Sequence, residues 1–285
     1  MVALALTAII LVAEVVGGLL THSLALLSDA AHVLLDMLAL GLSYAALRLA
    51  ARPADDRHTY GYHRFEVLAA LANGSLLFVM AVGIFWEAWR RFQAPEAVLA
   101  GPMLAVAVIG LGVNLVVMRV LGDHDHDDLN VRSAWLHVLG DMLSSVGVIA
   151  AGLIILLTGW MLADPLVSML IGLVILFGAG RVLRQALHIL LEGTPEGLSP
   201  SQVTSTMREV PGVSEVHDLH IWTVSPGYVA LSAHVVLNER SFPDAQDVQA
   251  SLREMLAGRF SIHHTTIQVE CAHCGQGALT CANSH

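Results

Sequence analysis

His32 and Asp36 stand four residues apart in one long apolar stretch, and His137 and Asp141 repeat the spacing in another. An H-x-x-x-D spacing puts both side chains on one helix face within about one turn. At the centre of a membrane span each ionisable residue costs roughly 2.5–3.5 kcal/mol, so each demands a compensating partner. If the two faces meet, two imidazoles and two carboxylates converge. That nitrogen-and-oxygen set suits tetrahedral Zn2+, with Co2+ or Cd2+ as substitutes and Mg2+ or Ca2+ as poor fits. The carboxylates would also neutralise a dication at bilayer depth. One such pair alone reads as a bundle histidine bonded to its own aspartate; the repetition in two stretches favours shared metal ligation.

Two further acids lie in apolar surroundings. Asp29, beside Ser28, reads as a helix N-cap or as an ion-guiding residue near the outer end of its span. Glu14 reads either as an acid supporting the site from behind or as a hydrogen-bonding group between helices.

The elements that must hold these residues are membrane helices. Of 285 residues 55% are hydrophobic and 13% charged, with a mean hydropathy of +0.67, outside the balance of an ordinary soluble domain. Stretches 67–86, 97–118 and 142–163 carry no charge, and each is long enough to cross a hydrocarbon core of roughly 30 Å. Stretches 3–20, 24–50 and 165–188 complete six expected spans, the fifth beginning early enough to include His137 and Asp141. No cleavable signal peptide is evident, so the first stretch reads as a retained helix.

All 14 basic residues are arginine. Arg48, Arg52, Arg57 and Arg64 flank the connection between the second and third spans, Arg119 and Arg132 that between the fourth and fifth, and Arg181 and Arg184 end the sixth. Only Arg90 and Arg91 fall on the opposite side, which predicts cytoplasmic termini. The formal charge of −10 argues against a nucleic-acid partner.

From about residue 195 the pattern turns to short alternating runs and turn residues, as in a soluble domain. Helices at 200–209 and 245–258 and strands at 213–224, 229–237 and 262–271 give the order αββαβ. The three cysteines lie in the last fifteen residues, where a reducing compartment disfavours a disulfide. Cys271 and Cys274 have C-x-x-C spacing, and Cys281 and His285 complete a candidate thiolate-rich set; a tail without a fixed metal is the alternative. The D-H-D-H-D-D run at 123–128, with His124 and His126, reads as a solvated acidic loop or a weak cation collector.

S-L-A-L-L-S-D-A-A-H-V-L-L-D at 23–36, G-Y-H-R-F-E at 61–66, W-L-H-V-L-G-D-M-L-S-S at 135–145, D-P-L-V-S at 164–168 and H-D-L-H-I-W at 217–222 together resemble a cation diffusion facilitator of the zinc-exporting type. The resemblance implies an α-helical membrane protein with a six-helix bundle and a C-terminal α+β ferredoxin-like (αββαβ) cytoplasmic domain. The expected extents are 1–192 for the transmembrane domain, 193–271 for the cytoplasmic domain and 272–285 for a Cys/His-containing tail. It also implies a homodimer embedded in lipid, in a bacterial inner membrane, that exchanges metal for protons by alternating access. His32, Asp36, His137 and Asp141 match the transport site, whose His-plus-Asp form resembles zinc and cadmium carriers. His217, His234, His263 and Glu270 match positions that bind regulatory zinc. His58 stands where some relatives have a ligand, but Tyr62 replaces their histidine, so a complete second site in that loop is not expected.

Two readings from other classes compete. A metalloenzyme would need a base beside an open three-ligand site, and the chain has no H-E-x-x-H. A membrane-anchored zinc sensor would keep the C-terminal histidines but would not need paired H-x-x-x-D motifs in the bilayer.

Overall fold

The apolar stretches become helices α1 (Val2–Thr21), α2 (Leu24–Ala50), α3 (Arg64–Gln93), α4 (Ala100–Gly122), α5 (Leu129–Thr158) and α6 (Ala163–Leu190) in the computed structural model. It describes residues 2–122, 129–238 and 244–270, and no side chain within 2–5 or 120–137. The candidate loop residues His124 and His126 and the tail residues Cys271, Cys274, Cys281 and His285 therefore lie outside the described residues. So does the side chain of His137, although its backbone is part of α5. Among the described residues five helices are long and apolar enough to cross a membrane, and Leu6–Thr21 is a shorter apolar helix.

Composition misplaces one boundary. The charge-free run 142–163 is not one helix: α5 stops at Thr158, Gly159 takes a φ of 70°, and the Thr158 hydroxyl accepts the Trp160 N–H at 3.2 Å. A positive φ breaks the helical repeat, and glycine bears it without steric penalty. α5 instead reaches back to Leu129, which sets Asp141 well inside a continuous helix.

The chain divides into two compact units, Met1–Leu42 with Ala72–Leu183, and Ser43–Leu71 with Arg184–His285. In the first, Leu26, Ile84, Met103, Val148 and Ile171, one from each of α2 to α6, meet in a common core. α4 packs against both α1 and α5. Gly152 makes the latter approach possible, since a Cβ there would stand 2.8 Å from the Leu104 side chain.

One end of this bundle is tied by Asp164 at the start of α6, which is fully buried. Its Oδ1 accepts the Ser23 hydroxyl at 2.6 Å and the Ala25 N–H at 3.2 Å, and its Oδ2 accepts the Leu24 N–H at 2.7 Å. Ser23 Oγ in turn accepts the Leu26 N–H at 3.2 Å. The first amides of a helix lack intrahelical partners, so a carboxylate from another helix caps α2 together with Ser23. Arg91 on α3 joins them, 3.7 Å from Asp164 Oδ2 and donating to the His22 carbonyl at 2.5 Å.

In the second unit α7 (Pro200–Arg208), β1 (Val213–Ser225), β2 (Tyr228–Leu237), α8 (Ala245–Phe260) and β3 (His264–Glu270) follow the expected αββαβ order. The sheet order is β1-β2-β3, antiparallel between β1 and β2 and parallel between β2 and β3, with α8 as the crossover. Val203 and Met207 of α7 and Leu252 and Leu256 of α8 bury against Val216, Leu231 and Val235 of the sheet.

Candidate metal centres

α2 and α5 bring three of the four predicted intramembrane residues together. His32 Nε2 lies 3.3 Å from Asp36 Oδ2 on its own helix and 3.8 Å from Asp141 Oδ1 on α5. One ligand atom from each residue falls within 4.8 Å of the other two. Ligands bound about 2.0 Å from a tetrahedral zinc stand about 3.3 Å from one another, so the observed separations are near those of a coordination sphere. Each side chain is partly covered, at 24%, 21% and 15% exposure, which shields the group while leaving an approach. His137 precedes Asp141 by one turn of α5, and its side chain is not among those described.

Asp29 does not cap α2 as its position suggests, because Ser23 and Asp164 already do. It lies inside the helix, 3% exposed, and its Oδ1 accepts the Ser144 hydroxyl of α5. Glu14 on α1 is 2% exposed.

A second cluster forms on the three-stranded sheet. His217 and His234 are direct partners across β1 and β2, their rings 5.2 Å apart at 70°. From β3 Glu270 reaches both, with Oε2 at 3.2 Å from His217 Nε2 and Oε1 at 2.9 Å from His234 Nδ1. These three also satisfy the spacing of a metal site. His263 is exposed, just before β3, and is not part of the cluster.

Asp218 is a neighbour that strand periodicity hides. β1 changes register between His217 and His220, and Asp218 takes a φ of 48°. Its carboxylate lies 3.0 Å from His220 Nε2 and 3.7 Å from His234 Nε2. The H-D-L-H run was the available signal, but simple alternation sends His217 and His220 to opposite faces.

In the loop between α2 and α3, Asp55 gathers the polar groups. Its Oδ1 accepts the N–H groups of Arg57 at 2.9 Å and His58 at 2.7 Å and lies 3.2 Å from His58 Nδ1, while Oδ2 accepts the Tyr62 hydroxyl at 2.7 Å. The Tyr62 bond first, then the backbone donors, hold the Asp55 pKa down at about 2, and the same bond pushes the Tyr62 pKa up.

Two family models match consecutive parts of the chain. Residues 1–191 match the cation efflux transmembrane domain and residues 195–272 the cytoplasmic domain of cation efflux proteins. The chain belongs to the cation diffusion facilitator, or cation efflux, family.

Similar family members include the metal cation efflux system protein CzcD of Cupriavidus metallidurans, 46% identical over 96% of this chain and 87% of that protein. The zinc transporter ZitB of Escherichia coli is 42% identical over 95% of this chain and 87% of its own length. A cadmium, cobalt and zinc/H(+)-K(+) antiporter of Bacillus subtilis is 40% identical over 95% and 88%. A solved metal-bound C-terminal domain of the C. metallidurans CzcD transporter is 38% identical, covering 26% of this chain and 99% of that one, with a TM-score of 0.24. This cation diffusion facilitator is thus a multi-pass membrane protein of a transporter family.

Proposed function

We propose that this chain exports divalent metal cations, Zn2+ foremost with Cd2+ and Co2+ as alternatives, in exchange for protons by alternating access. His32, Asp36, His137 and Asp141 hold the transported ion. One observation carries the reading: His32, Asp36 and Asp141 offer ligand atoms within 4.8 Å of one another between two helices. The named activities of ZitB and of the B. subtilis antiporter support zinc and its neighbours as cargo. Exchange with protons follows from the ligands, since an imidazole that carries a second proton has no lone pair for metal.

The chain works as a homodimer with both termini in the cytoplasm of a bacterial inner membrane. Its membrane portion is 1–192, its ferredoxin-like portion 193–271 and its tail 272–285. Zinc held by His217, His234 and Glu270 regulates transport. Their fit rests on the donor set, two imidazoles and a carboxylate already at ligand separation, and His263 is exposed and available to a second copy.

Uptake of Zn2+ into proteoliposomes under a pH gradient tests the reading. Parent protein should carry zinc, and Asp141→Ala should not while retaining its detergent-phase folding. Metal binding by the parent without any flux would instead identify a sensor.

A further inference from the structure

We infer that Asp29 and Glu14 form a second, oxygen-only cation station one turn beyond the His32–Asp141 contact, on the side away from the arginine-bearing loop. The inference rests on the transport reading above and extends it to the exit path.

The first observation is a repeat in the contact between α2 and α5. Asp29 precedes His32 by three residues, and Ser144 follows Asp141 by three. The two helices run in opposite directions here, so Asp29 and Ser144 meet as the next rung after His32 and Asp141, and the Ser144 hydroxyl donates to Asp29 Oδ1. This rung lies toward the α1–α2 turn. Asp29 is about 8 Å along α2 from Leu24, His32 about 12 Å, and Glu14 about 10 Å back along α1 from Thr21, at 1.5 Å per residue. Glu14 thus stands at a depth between the two rungs.

The second observation is that Glu14 is buried without satisfaction. It is 2% exposed, and its Oε2 has no hydrogen-bond partner. Space is reserved for it on α4, because a Cβ on Gly110 would stand 3.1 Å from its Oε1. Ser145, one residue past the rung and one turn from Asp141, also keeps a buried hydroxyl without a partner.

Among the described residues neither Glu14 nor Asp29 forms an ion pair. A carboxyl group at bilayer depth without a salt bridge is held neutral by a proton or by a cation, so a passing cation can take the place of the protons there. The donors are carboxylate and hydroxyl oxygens, a poorer set for zinc than the nitrogen-and-oxygen site behind it. An ion passing outward therefore moves from a tighter to a looser site and keeps part of its water, which favours release over retention.

The test compares full-length parent, Glu14→Gln, Asp29→Asn and Asp141→Asn. Zn2+ flux is measured in proteoliposomes, and the ligand-field spectrum of bound Co2+ reports on the His32–Asp36–Asp141 site. Glu14→Gln and Asp29→Asn should each lower flux at least about tenfold while leaving the Co2+ spectrum as in the parent. Flux within twofold of the parent in both variants overturns the inference. So does loss of flux together with loss of the Co2+ spectrum, which marks a packing role. Should Glu14→Gln fail to fold, Glu14→Asp serves in its place: it keeps the charge on a shorter arm, and retained flux with an altered Zn2+ dependence supports the station, whereas parental kinetics overturn it. Asp141→Asn reports separately on the transport site, since unchanged flux in that variant would refute the underlying reading instead.

Discussion

His32 Nε2 stands 3.8 Å from Asp141 Oδ1, joining α2 to α5 through an imidazole nitrogen of the kind that ligates a metal. Asp141→Asn preserves the shape and removes the charge. Zinc flux should fall on the order of 100-fold or more, because even indirect support of a ligand is worth 10–100-fold. Converting His32→Asp should move preference from Zn2+ toward Mn2+ by substituting an oxygen donor, read out by competition between the two ions in the flux assay.

On the sheet, Glu270 is the group that faces both histidines. Glu270→Gln should weaken Zn2+ binding by the C-terminal domain about 10–100-fold, measured by calorimetry on the full-length protein carrying Asp141→Asn to silence the membrane site. Affinity should decline as the solution is acidified, because both imidazoles must be neutral to ligate.

Asp55 ionises more readily in the fold than in the unfolded chain, at about 2 against an ordinary 3.8. Its contribution to loop order is therefore complete above pH 3.8 and disappears as pH falls toward 2. Tyr62→Phe removes the largest cause and should return the carboxyl titration toward 3.8, as followed by NMR of protein with carbon-13-labelled aspartate.

Asp164 accepts three hydrogen bonds from the start of α2 with no exposure to solvent. Asp164→Ala strands those donors and leaves Arg91 with less compensation, a loss of about 3 kcal/mol or more. Thermal unfolding in detergent should show a clear drop, smaller for Asp164→Asn, which keeps one acceptor.

Much of this architecture was readable before any coordinates, because hydrophobic runs of bilayer length and i, i+4 spacing translate directly into helices and shared faces. His32 and Asp36 are legible for that reason. The partner across the bundle was legible only through the repeated motif, since spacing says which face a residue occupies and not what stands opposite. Of the two readings of Asp29, the cap fails because Asp164, far away in the chain, already occupies that role, which spacing alone does not reveal. The run 142–163 was misread because hydropathy does not register a chain reversal at Gly159. In the C-terminal domain the αββαβ order followed from alternation, whereas Asp218 escaped it.

That residue has a wider effect. Before the shift Val216 is the β1 residue set in the core, whereas after it the odd positions Leu219 and Ile221 are. A one-residue slip at Asp218 acts as a parity switch, keeping His220 and Trp222 out of the hydrophobic layer. Removing one residue there would turn the second half of the strand inside out, so the length of this short segment matters as much as its composition.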